Sequence, residues 1–217
     1  MRYKACVFDF DLTLADSSEG ILKSFKHTLT AFGCPLPDDK TIYDTIGLPL
    51  IDAFGILTGV PDEPRRFAMR DEYVRKADEV MVAGTYFYDG VVDGLKALRE
   101  RGVLVGVCSS KMRYRIEQSF DVKAGCRPVD LIIGLDDAER PKPDPCGLLK
   151  CLEGLGVAKK ETLYVGDNII DAKTAQNAGV DFAAVLTGST TERDFSELPN
   201  VAICKELAGL LTNIKCR

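Results

Sequence analysis

The first residues able to do chemistry are two aspartates one residue apart, Asp9 and Asp11, which follow the apolar run 5–8. A short run that is apolar throughout predicts a strand covered on both faces. The carboxylates then lie at the carboxyl end of a strand, where open α/β sheets bind ligands. Both side chains start on the same side, and crowded carboxylates need a cation or a shared proton. The pattern favours phosphoryl chemistry; an Asp-rich turn capping the next helix is the structural alternative.

Hydroxyl and ammonium groups follow later predicted elements. Ser109 and Ser110 come directly after the apolar run 103–108, and a helix that starts there would offer hydroxyls and N–H groups to an anion. Lys142 lies between two prolines, and rigid flanking residues can aim one ammonium group. Each feature taken alone is typical of an ordinary helix cap or turn.

A second acidic segment completes the set. The apolar run 163–165 leads into Gly166, which permits a tight turn, and Asp167, which can face a cation; Asp171 follows. Acids, hydroxyls and an ammonium along one sheet edge suit phosphoryl transfer. Hard oxygen ligands favour Mg²⁺. The metal and Lys142 would offset the phosphate charge, so that an anionic carboxylate can approach an anionic substrate.

The composition predicts a globular protein that acts on a small molecule. The chain has 217 residues, a hydrophobic fraction of 46% and a net charge of −5. No block of lysines and arginines suggests a nucleic-acid surface. No segment reaches the roughly 18 apolar residues of a membrane helix, and no secretion signal is recognised. We therefore expect a cytoplasmic protein with no nucleic-acid or membrane partner.

Cysteine and histidine are not expected to do chemistry. The eight cysteines form no Cys-x-x-Cys pair, so packing and reduced thiols are favoured over zinc or disulfides. They are Cys6, Cys34, Cys108, Cys126, Cys146, Cys151, Cys204 and Cys216. His27, the only histidine, falls on an amphipathic helix as a surface or packing residue. Acid/base work therefore falls to carboxylates or lysine.

Helical segments follow the first strand, with breaks at 47–49 and 59–61 and with no strand pattern among them. Ser17 or Ser18 can cap a helix that ends at Gly33, and further helical stretches cover 38–57 and 63–82. From about residue 86 onward, helices alternate with short apolar runs, as in a parallel sheet.

These elements predict a doubly wound, Rossmann-like α/β core domain with a small all-helical cap domain. The core would comprise 1–15 and 86–217, and the cap 16–85. About 70 residues are too many for an ordinary connection. Because the insertion begins beside Asp9 and Asp11, we expect it to cover the strand ends as a lid; a structural decoration is the alternative.

Together these motifs resemble the haloacid dehalogenase superfamily, particularly its phosphoglycolate phosphatase-like and β-phosphoglucomutase-like members with a helical cap after the first strand. The resemblance covers nearly the whole chain. It implies that Asp9 is the nucleophile and forms an aspartyl-phosphate, and that Asp11 protonates the leaving group and then activates water. It also implies that Ser109, Ser110 and Lys142 bind the phosphoryl group.

The same resemblance implies a Mg²⁺ site and a link to the cap. Asp9, the main-chain carbonyl of Asp11 and Asp167 would hold the metal, with Asp171 as a ligand or as support. Thr13 and Asp16 would belong to the segment that couples cap motion to the active site.

In the cap, the loop 45–50, which contains Gly47, resembles the loop that capped relatives lower onto the substrate. Its Gly and Pro would also break a helix without any such role.

Two positions depart from the family pattern, and one discriminates within it. Leu12 stands where glycine is usual, and Ser110 where asparagine is frequent. We expect Leu12 to narrow the space beside the nucleophile or to alter how its loop turns. Dehalogenases and phosphonoacetaldehyde hydrolases lack an acid at the position of Asp11, so their chemistry is disfavoured.

The leading hypothesis is a Mg²⁺-dependent phosphatase for a small phosphorylated metabolite, with phosphoglycolate as the best single substrate and sugar phosphates or pyrophosphate as further candidates. A β-phosphoglucomutase-like phosphotransferase is the enzymatic alternative. A non-catalytic binding protein is disfavoured because none of the motif residues is lost. The chain would act as a monomer or homodimer.

Overall fold

The computed structural model of the chain describes residues 3–213, which divide into two compact units. One unit comprises the chain up to Asp16 and from Phe87 onward, and the other is Ser17–Tyr86. The second unit is therefore inserted into the sequence of the first. Its predicted role as a lid stays a prediction.

A six-stranded parallel sheet forms the centre of the first unit, in the order β5-β4-β1-β6-β7-β8. The strands are β1 (Ala5–Phe8), β2 (Ala15–Asp16), β3 (Tyr86–Phe87), β4 (Leu104–Cys108), β5 (Leu131–Ile133), β6 (Thr162–Gly166), β7 (Asp181–Val185) and β8 (Ala202–Cys204). The two short strands β2 and β3 form a sheet of their own. In this sheet, β4 and β5 lie on one side of β1, whereas the later strands β6, β7 and β8 lie on its other side. This reversal makes the β1/β6 boundary the switch point where such sheets bind ligands.

Helices cover both faces of the main sheet. The helices are α1 (Ser18–Ala31), α2 (Asp39–Tyr43), α3 (Leu50–Thr58), α4 (Glu63–Val80), α5 (Val91–Glu100), α6 (Arg113–Ser119), α7 (Cys146–Leu155), α8 (Ile169–Ala178), α9 (Glu192–Ser196) and α10 (Leu207–Asn213). Phe8 packs into the core beneath α5, α6 and α10, whereas its neighbour Val7 packs into the core beneath α7, α8 and α9. The alternation explains why β1 is apolar throughout: both of its faces are buried. The predicted doubly wound fold is confirmed.

The second unit is a helical cluster with its own aromatic centre. Phe25 of α1 lies 5.1 Å from Phe54 of α3 and 4.8 Å from Tyr73 of α4, measured between ring centroids. His27 contacts the Glu72 carboxylate at 2.6 Å. Hydrogen bonds from Arg75, and then from His27, lower the pKa of Glu72 to about 2. His27 thus belongs to a surface polar network on α1 and α4.

Several elements were absent from the sequence prediction. The strands β2 and β3 have two residues each, too short for any periodicity, and β8 is only half-buried, so its pattern is weak. Within the described residues, seven cysteines are free thiols, and Cys216 lies outside that range. A search of the described helices found none long and apolar enough to cross a membrane.

Candidate active site

The carboxyl ends of β1, β4 and β6 bring the predicted residues to one edge of the sheet. Phe8 pairs with Val107 of β4 and Val165 of β6, so the residues after these strands are neighbours. The N–H of Asp9 donates to the carbonyl of Val165 at 2.8 Å, which continues the ladder one residue beyond β1. Strand register therefore fixes the backbone of Asp9.

Lys142 is the centre of a buried hydrogen-bond network. Its Nζ donates to Asp9 Oδ1 at 2.9 Å, to Asp171 Oδ1 at 2.6 Å and to the hydroxyl of Tyr164 at 3.2 Å. An ammonium has three protons, so each has an acceptor. Burial alone would lower the pKa of Lys142, but the charges of Asp171 and Asp9 outweigh it and raise the pKa above its ordinary value. The side chain is therefore a fixed positive charge beside Asp9.

Three buried carboxylates could hold a cation. Asp9, Asp167 and Asp171 each offer one oxygen, and these oxygens lie within 4.8 Å of one another. Burial raises the pKa of Asp9 to about 6, with Lys142 opposing the shift. Burial, followed by the charges of Asp171 and Asp9, raises the pKa of Asp167 well above its usual range. A bound cation would favour the ionised forms. Hard oxygen donors are the set that Mg²⁺ prefers, so the residues fit that ion.

Asp171 supports the cluster as well as contributing to it. Its Oδ1 also accepts from the hydroxyl of Tyr164 at 3.0 Å, and its Oδ2 accepts from the N–H of Asn168 at 3.1 Å at the start of α8. A Cβ on Gly166 would lie 2.4 Å from Asp171 Oδ2. The φ of Gly166 is outside the left-handed region, so this glycine is needed here for the room that it leaves to the carboxylate. The predicted tight turn stays a prediction.

The second aspartate has a different partner. Lys111 Nζ lies 2.7 Å from Asp11 Oδ1, and the side chains are 4% and 17% exposed. The ammonium also lies 5.6 Å from the centroid of the Phe10 ring, within the range of a cation–π contact. The ion pair joins the acid to the loop after β4.

The turn that directly follows Asp11 is held from three sides. Leu12 adopts a left-handed φ of 57° with its side chain 1% exposed. The residue therefore takes the backbone that glycine favours and fills space in the core. Its carbonyl accepts from the Thr187 hydroxyl. Thr13 Oγ1 donates to Asp167 Oδ1 at 2.8 Å and joins this turn to the acidic cluster.

The loop after β7 closes against the same cluster. A Cβ on Gly188 would lie 2.0 Å from Asp167 Oδ2, so only glycine leaves room for that carboxylate. Thr187, one residue earlier, is the donor to Leu12. The β7 loop is therefore a wall of the site that sequence reasoning missed.

Three of the four predicted phosphate-binding residues belong to the first unit, and one belongs to the second. Ser109 is buried, and its hydroxyl accepts from the N–H of Lys111 at 3.3 Å. Ser109, Ser110 and Lys142 line one open pocket in the first unit. Gly47 belongs to the second unit, between α2 and α3, with a φ of 96°. Its role in substrate binding stays a prediction.

Residues 6–185 match the family model of haloacid dehalogenase-like hydrolases. The chain belongs to this family. Pyrophosphatase PpaX of Halalkalibacterium halodurans is 32% identical to this hydrolase over 185 residues, which cover 85% of this chain and 84% of the relative. Pyrophosphatase PpaX of Listeria innocua is 32% identical over 213 residues, 96% of this chain and 95% of the relative.

Among solved structures, that of a Bacteroides fragilis protein described as a haloacid dehalogenase-like hydrolase is 38% identical to this hydrolase. Its TM-score is 0.93, with 96% of this chain and 99% of the other covered. The family predicted from the sequence is confirmed. The roles of Asp9, Asp11 and their partners within this hydrolase stay predictions.

Sequence reasoning missed four site residues, namely Lys111, Tyr164, Thr187 and Gly188. A signal existed for three of them. Lys111 directly follows Ser109-Ser110, and Thr187 and Gly188 follow a predicted strand at the same sheet edge. Tyr164 lies inside an apolar strand, where a ring is ordinarily core packing. Nothing local indicates that its hydroxyl reaches Lys142.

Proposed function

We propose that this hydrolase is a Mg²⁺-dependent phosphatase that cleaves a small phosphorylated metabolite through an aspartyl-phosphate on Asp9. The observation that carries the proposal is the contact of 2.9 Å between Lys142 Nζ and Asp9 Oδ1, inside a cluster of three buried carboxylates. An anionic nucleophile must meet an anionic phosphate, and fixed positive charge beside it lowers that barrier.

In the first half-reaction, a carboxylate oxygen of Asp9 attacks phosphorus and the bond to the leaving-group oxygen breaks. Asp11, which takes up a proton with the substrate, gives that proton to the leaving-group oxygen. The hydroxyl of Ser109 and the ammonium of Lys142 donate hydrogen bonds to the phosphoryl oxygens. In the second half-reaction, water attacks phosphorus and gives a proton to Asp11, while the bond to Asp9 breaks. Phosphate leaves, and both aspartates return to their starting states.

Asp9 and Asp167 would hold the metal, together with the main-chain carbonyl of Asp11 and with Asp171 as a ligand or as support. When bound, Mg²⁺ supplies charge neutralisation at the phosphoryl oxygens. The cytoplasmic location and the choice between monomer and homodimer stay predictions.

Phosphoglycolate is the first substrate candidate, from the family resemblance of the motifs. Pyrophosphate is the second, because the relatives from Halalkalibacterium halodurans and Listeria innocua, each 32% identical, are named pyrophosphatase. Both are small and carry the phosphoryl group that the proposed reaction transfers. The β-phosphoglucomutase-like phosphotransferase stays an alternative, since attack on a sugar hydroxyl would use the same nucleophile.

Phosphate release from a panel of phosphometabolites with Mg²⁺ tests the proposal. The panel contains phosphoglycolate, pyrophosphate, several sugar phosphates and p-nitrophenyl phosphate, each with the wild type and with Asp9→Asn. We expect release by the wild type and a loss of at least about 10³-fold in Asp9→Asn, because the nucleophile is gone. Equal rates for the two proteins would refute the proposal, and conversion of glucose 1-phosphate to glucose 6-phosphate would favour the phosphotransferase.

A further inference from the structure

A second buried lysine lies beside the second aspartate, and the reaction as written above gives it no task. The side chain of Lys111 is only 4% exposed, and its Nζ lies 2.7 Å from Asp11 Oδ1. A buried ammonium is costly unless a charged partner compensates it. Asp11 is the carboxylate that supplies this compensation.

The backbone of Lys111 is fixed on both sides of its side chain. Its N–H donates to the hydroxyl of Ser109 at 3.3 Å, and its carbonyl accepts from the N–H of Leu135 at 3.0 Å. The ring of Phe10 lies beneath the ammonium, 5.6 Å from its centroid. Because the chain and the ring both restrain Lys111, the ammonium is a rigid support.

The two charges differ in how far solvent reaches them. Asp11 is 17% exposed and Lys111 is 4% exposed, so the carboxylate is more accessible than the ammonium that holds it. Lys111 is therefore placed to act through Asp11.

We propose that Lys111 is a positioning residue that holds the carboxyl group of Asp11 where it meets the leaving-group oxygen. The proposal rests on the phosphatase function proposed above. The reaction slows when the acid is out of place, even if its carboxyl group is unchanged, because proton transfer requires hydrogen-bond distance.

The test compares leaving groups in the 217-residue chain. p-Nitrophenolate leaves with little need of a proton, whereas an alkoxide leaves slowly unless it is protonated. We expect Lys111→Met to lower kcat/KM by about 10- to 100-fold for the best alkyl phosphate of the panel. For p-nitrophenyl phosphate we expect a loss below about 3-fold, because the acid contributes little to that step.

Lys150→Met is the matched control. Lys150 is exposed, and its ammonium donates to the carbonyl of Asp137, away from both aspartates. We expect this variant to have the wild-type ratio of rates for the two substrates. The control separates the loss of Lys111 from the loss of any lysine.

A double-mutant cycle covers the case in which Lys111→Met folds poorly. Asp11→Asn with Lys111→Met removes both charges, so no unpaired charge is left buried. We expect the double variant to match Asp11→Asn in kcat/KM for both substrates, because Lys111 has nothing left to position.

Three results would overturn the proposal: equal losses for both substrates in Lys111→Met, a rise in KM with kcat unchanged, or a further loss in the double variant. A wild type that releases no phosphate from any substrate would instead overturn the phosphatase function, and this inference with it. The wild-type measurement thus distinguishes the two failures.

Discussion

Asp9 and Asp11 are separated in the chain by Phe10 alone, yet they differ in exposure and in charged partners. Asp9 is 8% exposed and shares the ammonium of Lys142 with Asp171, with Asp167 close by. Asp11 is 17% exposed and contacts the ammonium of Lys111. The first environment leaves excess negative charge in a buried place, whereas the second pairs one acid with one base.

The difference teaches how one strand end can supply two kinds of carboxylate. A nucleophile gains from being buried, immobile and beside positive charge, since the carboxylate then needs little reorganisation. An acid/base group must exchange protons with a leaving group and with water, so it needs access. Only Phe10 lies between the two acids, and the turn at Leu12, held by Thr187, directly follows Asp11.

Loss of Lys142 should have the largest effect on stability, because it removes the positive charge beside the buried carboxylates. Lys142→Met leaves Asp9 and Asp171 buried without their ammonium partner. We expect the free energy of unfolding to fall by about 3–5 kcal/mol, measured by urea denaturation without Mg²⁺. Lys111→Met should cost less, since Asp11 is closer to water. Equal losses of unfolding free energy in the two variants would contradict the difference between the environments of Asp9 and Asp11.

Gly188→Ala tests whether Asp167 belongs to the metal site near Asp9. The new Cβ would lie 2.0 Å from Asp167 Oδ2, so the carboxylate must move. We expect Mg²⁺ affinity, measured by calorimetry, to fall by about 10- to 100-fold. Gly209→Ala is the matched control, because nothing lies within 4 Å of its Cβ position. Unchanged Mg²⁺ affinity in Gly188→Ala would show that Asp167 does not bind the ion.

Leu12→Gly should have the smallest effect, because two contributions oppose each other. Glycine releases the left-handed strain, worth about 1–2 kcal/mol, but removes a buried leucine worth about 2–3 kcal/mol. We expect a net loss near 1 kcal/mol in the free energy of unfolding, measured in urea. A more stable variant would mean that strain, rather than packing, dominates the turn after Asp11.

Much of the fold could be predicted from the sequence because its signals are local. Apolar runs of strand length, with helices between them, predicted β1, β4, β5, β6 and β7 near their observed bounds. Acids directly after β1 and β6 meet at one edge because parallel strands align their carboxyl ends. For the same reason Asp9 and Asp167 could be placed together before any coordinates.

The contact of Lys111 with Asp11 and that of Thr187 with Leu12 could not be predicted in the same way. Lys111 is 100 residues from Asp11 along the chain, and Thr187 is 175 residues from Leu12. Which side chain reaches across such a gap depends on rotamers and packing, which leave no periodic signal. The left-handed turn at Leu12 was also hidden, since leucine gives no hint of it.

Acid-quenched mass spectrometry of Asp11→Asn, mixed with p-nitrophenyl phosphate and Mg²⁺, tests most directly the claim that the two aspartates do different work. The good leaving group departs without Asp11, but water is then poorly activated, so phosphate should accumulate on the protein. The account predicts one phosphate per chain, located on Asp9 by fragmentation and missing in Asp9→Asn. Phosphate on another residue, or none under conditions where the wild type turns over, would contradict it.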